Sequence, residues 1–266
     1  MEQSSSSSSN HQHHWIEVQD ELKKKLIKED GFSWEIPSSS SSVELEMGDG
    51  GERKEELKYV GGVDISFLKE DPSVACGTLV VLELDSLNVV YDDFSVAKLH
   101  IPYVPGFLAF REAPILLKLL DKMKKNAHSF YPQLLMVDGN GILHPRGSLQ
   151  VHIILLEFVV TTMHGFGLAC HLGVMADLPT IGIGKNLHHV EGLNHSEVRD
   201  LFKTGDYNET VYLNGNSGQT LGVAMRSTLG ALKPIYISIG HRISLTTAMK
   251  VVKLTCKYRV PEPIRQ

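Results

Sequence analysis

The chain has few cysteines and lacks a long apolar run. Its 266 residues include three cysteines, an odd and sparse count that argues against a disulfide framework and indicates a reducing compartment. The longest apolar run, Val151–Val160, is interrupted by His152 and Glu157 and is shorter than the roughly 20 residues that span a bilayer. Polar residues and serines follow Met1, where a signal peptide would be apolar. We therefore expect a cytoplasmic or nuclear protein with no membrane partner.

Charge is unevenly distributed along the chain. Acidic residues outnumber basic ones by 31 to 26, yet residues 226–266 carry eight basic residues and one acidic residue. A basic segment of this kind suits a phosphate-binding face, and it equally suits the solvated side of a helix. Charge alone leaves both interpretations open.

Composition divides the chain into five segments. The serine runs Ser4–Ser9 and Ser38–Ser42 cannot bury enough apolar area to offset the entropy of ordering them. We therefore expect a disordered Ser-rich tail over 1–14, an N-terminal helix segment over 15–36, a flexible acidic Ser/Gly-rich linker over 37–56, a catalytic domain over 57–256 and a tail over 257–266. Apolar residues at helical spacing predict the N-terminal helix, namely Trp15, Val18, Leu22 and Leu26.

The folded domain is predicted to be α/β, with a mixed sheet flanked by helices. Short turns connect three apolar segments, so we expect three antiparallel strands at its start. Alternating helices and strands should follow, and Ser244 is a candidate cap for the last helix. The predicted strands are 59–67, 75–84, 88–96, 133–137, 180–183, 219–225 and 235–239, and the predicted helices are 113–125, 165–176 and 244–255.

Three acidic residues lie at the edges of predicted elements. Asp64 falls within an apolar strand, Glu112 opens a helix, and Asp138 ends a strand and precedes Gly139. Ligands of α/β sheets collect at the carboxyl ends of strands, and clustered carboxylates suit Mg²⁺ and phosphodiester hydrolysis. Each acid alone also fits a structural role, such as bonding to a turn or facing the helix dipole. Spacing therefore indicates a metal site only weakly.

Three further features are candidates for substrate contacts. Two prolines stiffen the loop around Tyr103, which gives its ring a rigid platform suited to stacking. Arg111, beside Glu112, is positioned in sequence to contact a phosphate. Lys185 follows a short strand, and the preceding Gly182–Gly184 lacks the spacing of a phosphate-binding P-loop.

Six segments occur in an order that is typical of one family. They are Gly62–Phe67, Pro102–Glu112, Val137–Arg146, Gly165–Gly173, Pro179–Lys185 and Ser238–Leu245. Together they resemble the endonuclease V family, inosine-directed nucleases with a ribonuclease H-like fold. The resemblance covers most of residues 15–255. It implies a metal-dependent endonuclease that cuts the second phosphodiester bond on the 3′ side of inosine or deoxyinosine, with Mg²⁺ as cofactor and Mn²⁺ as a substitute.

The resemblance also implies roles for individual residues. Asp64, Glu112 and Asp138 match the metal-binding carboxylates, and Lys185 and His241 match further catalytic residues. Tyr103, Val104 and Pro105 match a wedge that separates the base from its neighbours. Matches to the pocket for the flipped hypoxanthine base are Gly106, Leu108, Gly139, Gly167 and Leu168. Arg111 and His144 complete the candidate contacts to inosine-containing RNA or DNA.

One segment departs from the family pattern. In the family, His-Pro-Arg runs within about a residue into Gly-Phe-Gly-Leu-Ala, whereas Gly147–His164 intervenes here. An alternative splice form or a gene-model error would account for it. Its apolar residues are unsuited to a free surface loop. We expect it to bulge beside the substrate cleft and to disturb Gly167 and Leu168 more than Asp64 or Glu112.

Two alternatives to an inosine-directed enzyme stay open at this point. The insertion could leave a nucleic-acid-binding protein without catalysis. The chain could also be another ribonuclease H-like nuclease without inosine preference, against which the wedge and pocket matches argue. Preference for RNA or DNA depends on contacts to the 2′-hydroxyl, which the motifs do not reveal.

Overall fold

The computed structural model describes residues 3–37, 55–126, 128–144, 165–204, 209–228 and 230–266, with no side chains for 3–12 and 204. The predicted linker is therefore described only at its ends, where Trp34–Glu35 and Glu55–Glu56 pair in parallel. The predicted bulge over Gly147–His164 lies outside the described residues. No helix in the described ranges is long and apolar enough to cross a membrane.

The described residues form six helices and ten strands. The helices are α1 (Gln3–Lys24), α2 (Leu108–Lys125), α3 (Leu168–Ala176), α4 (His195–Thr204), α5 (Leu245–Thr255) and α6 (Glu262–Arg265). The strands are β1 (Trp34–Glu35), β2 (Glu55–Glu56), β3 (Tyr59–Phe67), β4 (Val74–Glu83), β5 (Val89–Lys98), β6 (Leu134–Asp138), β7 (Thr180–Gly184), β8 (Thr210–Asn214), β9 (Thr220–Met225) and β10 (Ile235–His241).

Eight of these strands form one mixed sheet in the order β5-β4-β3-β6-β7-β10-β9-β8. β3, β6 and β7 run parallel to one another, whereas β4 and β5 on one side and β10, β9 and β8 on the other pair antiparallel. The carboxyl ends of the three central strands therefore meet at one edge of the sheet. The predicted mixed α/β sheet with three antiparallel strands at its start is confirmed.

Helices cover both faces of the sheet. On one face, α2 and α3 pack on residues such as Val63 and Val137. On the other face, α5 packs on residues such as Met136 and Ile183. Ser244 is the N-cap of α5 as predicted, since its hydroxyl accepts a hydrogen bond from the Thr247 amide at 3.2 Å. The central strands are thus buried on both sides, and their polar residues emerge only at the edge.

Two helices begin earlier than the sequence pattern predicts. α2 begins at Leu108 rather than near Ala113, because the buried side chains of Ala109 and Glu112 extend its inward stripe; Pro114, which favours a first turn, lies inside it. α1 begins at Gln3, within the segment predicted to be a disordered tail. Extending an existing helix costs much less than nucleating one, so serine composition alone was a poor guide there.

The C-terminal residues are also not a free tail. α6 packs beside β3, and a Cβ at Gly62 would lie 1.8 Å from the carbonyl oxygen of Pro263. Ile264 is buried in the same core as α5. The absence of a side chain at Gly62 lets the two backbones touch, a long-range contact that composition does not reveal.

Helix α4 and strand β8 were not predicted. Each buries only a few side chains, among them Val198, Phe202 and Leu213, in a small core beside Leu143 and Tyr236. Segments with so few inward positions carry a weak periodic signal, so their structure depends on the sheet that they cover.

Candidate active site at the edge of the sheet

The parallel pairing of β3 and β6 brings two aspartates together. Val63 pairs with Val137, so the next residues, Asp64 and Asp138, are neighbours across the two strands. Their carboxyl groups interact directly, and the Asp64 carboxylate also accepts a hydrogen bond of 2.7 Å from the Ile65 amide. Burial raises the pKa of Asp64, and the negative charge of Asp138 raises it further. The strand register thus concentrates negative charge at this edge.

Lys185 offsets part of this charge. β6 pairs with β7 so that Asp138 lies opposite Ile183, and Lys185 follows two residues later. Its ammonium group forms an ion pair with the Asp138 carboxylate. Lys185 therefore lies beside Asp138, and its catalytic role at a phosphate stays a prediction.

Glu112 approaches the same edge from α2. Its side chain is 6% exposed. Burial raises its pKa to about 7; the Arg111 guanidinium opposes this shift, and the charges of Asp64 and Asp138 add to it. A carboxyl group in this state is only partly ionised near neutral pH, because ionisation would place a third negative charge beside two others.

The donor set fits a hard divalent cation. Asp64, Glu112 and Asp138 supply only carboxylate oxygens, which Mg²⁺ and Mn²⁺ prefer. Burial first, and the neighbouring negative charges second, raise the pKa values of Asp64 and Glu112. Among the described residues, however, no three His, Cys, Asp or Glu side chains converge as a preformed metal cage. The three carboxylates are neighbours that would have to close on an ion, and their convergence on one ion stays a prediction.

A small cavity of about 190 Å³ adjoins the acids. Its walls come from the loop before α2, the turn after β6 and the start of α3. The lining residues are Ile65, Gly106, Leu108, Ala109, Glu112, Asp138, Gly139, Asn140, His144, Phe166, Gly167, Leu168 and His188. All five residues predicted for a base pocket and the predicted contact His144 are among them. A Cβ at Gly167 would lie 2.2 Å from the Asn140 carbonyl oxygen, so the absence of a side chain there lets the two walls meet.

The predicted wedge residues lie at the mouth of this cavity. Tyr103, Val104 and Pro105 immediately precede Gly106, and the Tyr103 side chain is 66% exposed. The loop closes on α2 through a hydrogen bond of 3.0 Å from the Phe107 amide to the Val104 carbonyl. An exposed ring on this loop is free to contact a nucleobase, and the wedge role stays a prediction.

Arg111 does not point into the cavity. Its guanidinium donates to the Pro72 carbonyl and lies 5.0 Å from the centre of the Phe67 ring. These contacts tie α2 to the turn between β3 and β4. The expected phosphate contact of Arg111 stays a prediction.

His241 is not at the acid cluster, and the expectation that it shares this site is wrong. β10 runs antiparallel to β7, so its last residue pairs with Thr180 at the beginning of β7, at the opposite edge of the sheet. The ring is 3% exposed, and its Nδ1 accepts a hydrogen bond of 3.3 Å from the Ile27 amide. His241 instead helps to attach the segment after α1 to the domain.

Asn140 and His188 line the cavity but were not selected from the sequence. Asn140 lies between Gly139 and Gly141, so its place in that motif was an available signal. His188 follows Lys185 by three residues, and no sequence pattern distinguishes it from His189. The ring of His188 reaches the cavity because β7 ends beside β6.

His144 and Gly165, the described residues that flank 145–164, lie next to each other. A Cβ at Gly165 would be 2.2 Å from the carbonyl oxygen of His144. His144 itself lines the cavity. A chain without Gly147–His164 could join these two residues with Pro145 and Arg146.

The sheet order, with carboxylates at the ends of its central parallel strands, defines a ribonuclease H-like nuclease fold. Comparison with known proteins narrows this class: the model of the Endonuclease V family matches residues 41–154 and 160–266. The chain belongs to the Endonuclease V family, whose members are divalent-metal-dependent nucleases. The match breaks within Gly147–His164, the segment that departs from the family pattern.

Individual relatives support the same assignment. Endonuclease V of Mus musculus is 41% identical over 95% of this chain, which spans 66% of the mouse protein. The catalytic domain of human Endonuclease V is 38% identical, with a TM-score of 0.77 over 97% of this chain and 92% of the human one. Endonuclease V of Ciona intestinalis, solved with DNA containing an inosine followed by a ribo-adenosine, is 30% identical, with a TM-score of 0.75 over 96% and 93% of the two chains.

His171 beneath the cavity should make the protein sensitive to acid. Its ring packs edge-on against Phe110 at 4.9 Å and beside Phe166, and burial lowers its pKa from 6.5 to about 4. The folded state resists protonation, so this contribution to stability is complete above pH 6.5 and is lost as the pH falls towards 4. At pH 5 the loss should be about 2 kcal/mol.

Chemical unfolding of the parent, His171→Leu and the exposed control His100→Gln at pH 7 and pH 5 checks this. His171→Leu should show a drop in unfolding free energy between the two pH values that is smaller by about 2 kcal/mol than the drop in the other two. The difference between pH values, rather than absolute stability, is compared because any substitution in this core costs packing. Equal drops in all three chains would contradict the assignment.

Proposed function

We propose that this chain is an endonuclease that cuts the second phosphodiester bond on the 3′ side of inosine or deoxyinosine, using Mg²⁺ or Mn²⁺. One observation carries the proposal: Asp138 and Glu112 belong both to the carboxylate cluster and to the wall of the small cavity. A base held in that cavity keeps its own strand beside the acids. The inosine-containing DNA bound to the Ciona relative supports the same substrate class.

The cavity suits one extruded nucleobase. About 190 Å³ is below the 300–1,000 Å³ of pockets for drug-sized ligands. Phe166 and Leu168 offer apolar surface for a base plane, while the glycine backbones at Gly139 and Gly167 allow close approach. Inosine pairs weakly, so extruding it costs less than extruding a well-paired base; such steps cost a few kcal/mol.

The chain's own residues would position the reacting phosphate. Asp64, Glu112 and Asp138 would hold the cation, which when bound supplies charge stabilisation and activates water for phosphodiester hydrolysis. Lys185 supplies a fixed positive charge beside Asp138 and can orient a phosphate oxygen. Tyr103 at the cavity mouth would fill the space that the extruded base leaves in the stack.

A second candidate function is nucleic-acid binding without cleavage. It is favoured by one observation: the segment 145–164 departs from His144, which lines the cavity. A disturbed cavity would lose inosine recognition while the acids and basic residues remained.

The test measures cleavage, in the presence of Mg²⁺, of single-stranded RNA and DNA oligonucleotides that contain one inosine. Matched oligonucleotides with adenosine at that position serve as the comparison. Cleavage at inosine alone supports the enzyme, whereas equal cleavage of both sequences indicates a nuclease without inosine preference.

Removing Gly147–His164 should raise both soluble yield and cleavage of inosine oligonucleotides. The segment is rich in apolar residues, and the flanking residues His144 and Gly165 lie next to each other, so the shorter chain needs no rearrangement of the cavity walls. Yield, manganese affinity and cleavage should be measured for both chains. Manganese affinity should change least, because Asp64 lies on β3 and Glu112 on α2, and neither element continues into the junction. Equal cleavage by both chains would make the segment a tolerated surface loop and would remove the support for the second candidate.

Asp138→Asn should reduce cleavage about 100-fold or more with little loss of nucleic-acid affinity. The substitution removes a cation ligand, but affinity for nucleic acid is largely electrostatic and the chain becomes less negative. Cleavage rates and binding in the absence of divalent ions are the measurements. Asp92→Asn, an exposed acid on β5, is the matched control and should behave as the parent does. An active Asp138→Asn chain would show that Asp138 is not a ligand.

Tyr103→Ala should weaken the preference for inosine over adenosine without changing manganese affinity. Base–aromatic stacking is worth about 1–3 kcal/mol, which corresponds to roughly 5- to 150-fold in cleavage efficiency. Tyr212→Ala, an exposed tyrosine on β8, removes a comparable ring far from the cavity and serves as the control. The wedge role would be lost if Tyr103→Ala discriminated inosine as well as the control does.

A further inference from the structure

Arg259 lies between α5 and α6 and binds three backbone carbonyl groups. Its Nε donates to the Lys233 carbonyl at 3.2 Å, and its Nη2 donates to the carbonyls of Pro234 and Lys185 at 2.9 and 2.7 Å. Its own carbonyl accepts a hydrogen bond of 2.6 Å from the Ser227 hydroxyl. The guanidinium thus joins the loop after β7 to the loop before β10 and is held in one orientation.

Two of the five N–H groups of this guanidinium stay available. Arginine offers five donors, and the three carbonyls use the Nε and Nη2 hydrogens. No described residue accepts a hydrogen bond from Nη1, and the side chain is only half-buried. An Nη1 group fixed in this way is preorganised to bind an anion, because the three carbonyl contacts already hold the side chain in one orientation and binding costs little further entropy.

The charges around Arg259 favour an anion there. Lys257 lies two residues before Arg259 in the chain, and Lys233 supplies one of its carbonyl partners; both lysine side chains are exposed. Glu262 is the only acidic residue of 226–266, and its carboxylate already pairs with Arg265 at 2.6 Å. Lys233, Lys257 and Arg259 therefore form a basic surface beside the loop of Lys185, which we call the basic lip.

Lys185 connects this lip to the acid cluster. Its carbonyl accepts from Arg259, and its ammonium group contacts Asp138. Arg259 is thus separated from the proposed reaction site by a single lysine. The next phosphate along a bound strand would fall in this region.

We propose that Arg259 binds a backbone phosphate of the nucleic acid, next to the phosphodiester that reacts, and that its carbonyl contacts hold the Lys185 loop in position. The inference rests on the proposed function and adds a phosphate subsite that none of the sequence motifs contains. Lysine could supply the charge but not the planar fork that binds three carbonyls and an anion at once. The two parts, charge and fork, can therefore be separated by substitution.

The charge is tested by the salt dependence of binding. Labelled single-stranded DNA oligonucleotides with one inosine, and the same with adenosine, are titrated without divalent ions. Removing one phosphate contact should reduce the slope of log affinity against log salt by about 0.7 for a single strand. Between 50 and 200 mM salt, the factor by which affinity falls should therefore be about threefold smaller for Arg259→Gln than for the parent. The same difference is expected with both oligonucleotides. Arg259→Lys and the exposed control Arg199→Gln should keep the parent slope.

The fork is tested by kinetics. Arg259→Lys should keep the parent KM but lower kcat for the inosine oligonucleotide, because the loop that carries Lys185 loses its anchor. A merely structural role would lower stability without this split, so thermal unfolding is measured on the same samples. Full kcat in folded Arg259→Lys would overturn the positioning part of the proposal.

A second measurement removes the negative charge of one phosphate instead of the positive charge of the arginine. Oligonucleotides carry a neutral methylphosphonate at one position at a time. One position near inosine should weaken binding to the parent but not to Arg259→Gln; should that variant not fold, Arg259→Met, which also removes the charge, takes its place with the same expected result. Equal losses in parent and variant, or equal salt slopes, would overturn the phosphate subsite while leaving cleavage intact. A parent that cleaves neither oligonucleotide contradicts the proposed function, yet the adenosine slopes still test Arg259.

Discussion

The candidate site depends on one electrostatic constraint, the placement of two like charges side by side. The parallel register of β3 and β6 makes Asp64 and Asp138 neighbours, and buried Glu112 adds a third carboxyl group whose pKa is raised to about 7. Lys185 offsets only part of this charge. A hard cation relieves such repulsion with oxygen ligands alone, so the sheet register sets the chemistry for which this edge is suited.

The cavity and the acids share the same piece of chain. The turn after Asp138 forms one wall of the cavity, and a Cβ at Gly167 would collide with the Asn140 carbonyl at 2.2 Å. Base recognition and phosphate positioning are therefore mechanically connected, because a shift of this turn moves both. The junction of His144 and Gly165 adjoins the cavity wall, so a change there reaches base recognition directly and reaches the acids through this turn.

The C-terminal segment stabilises the edge from the other side. Pro263 contacts the backbone of Gly62, two residues before Asp64, and Arg259 binds the carbonyl of Lys185. Asp64 and Lys185 are thus both supported by the C-terminal segment, and the contact of Arg259 with Lys185 crosses 74 residues of sequence. The basic composition of this segment is consistent with both a supporting and a phosphate-binding role.

The sequence by itself determined most strands of the sheet, the positions of Asp64 and Asp138 in them, and the cap of α5. Alternation, turn residues and Ser244 are local signals, and local hydrogen bonding and burial decide them. Only the tertiary structure decided the direction of β10, which places His241 at the opposite edge of the sheet. It also decided that Arg111 bonds to Pro72 and that residues 257–266 pack on Gly62. These features depend on pairing between distant segments, and periodicity carries no information about which distant backbone a residue will meet.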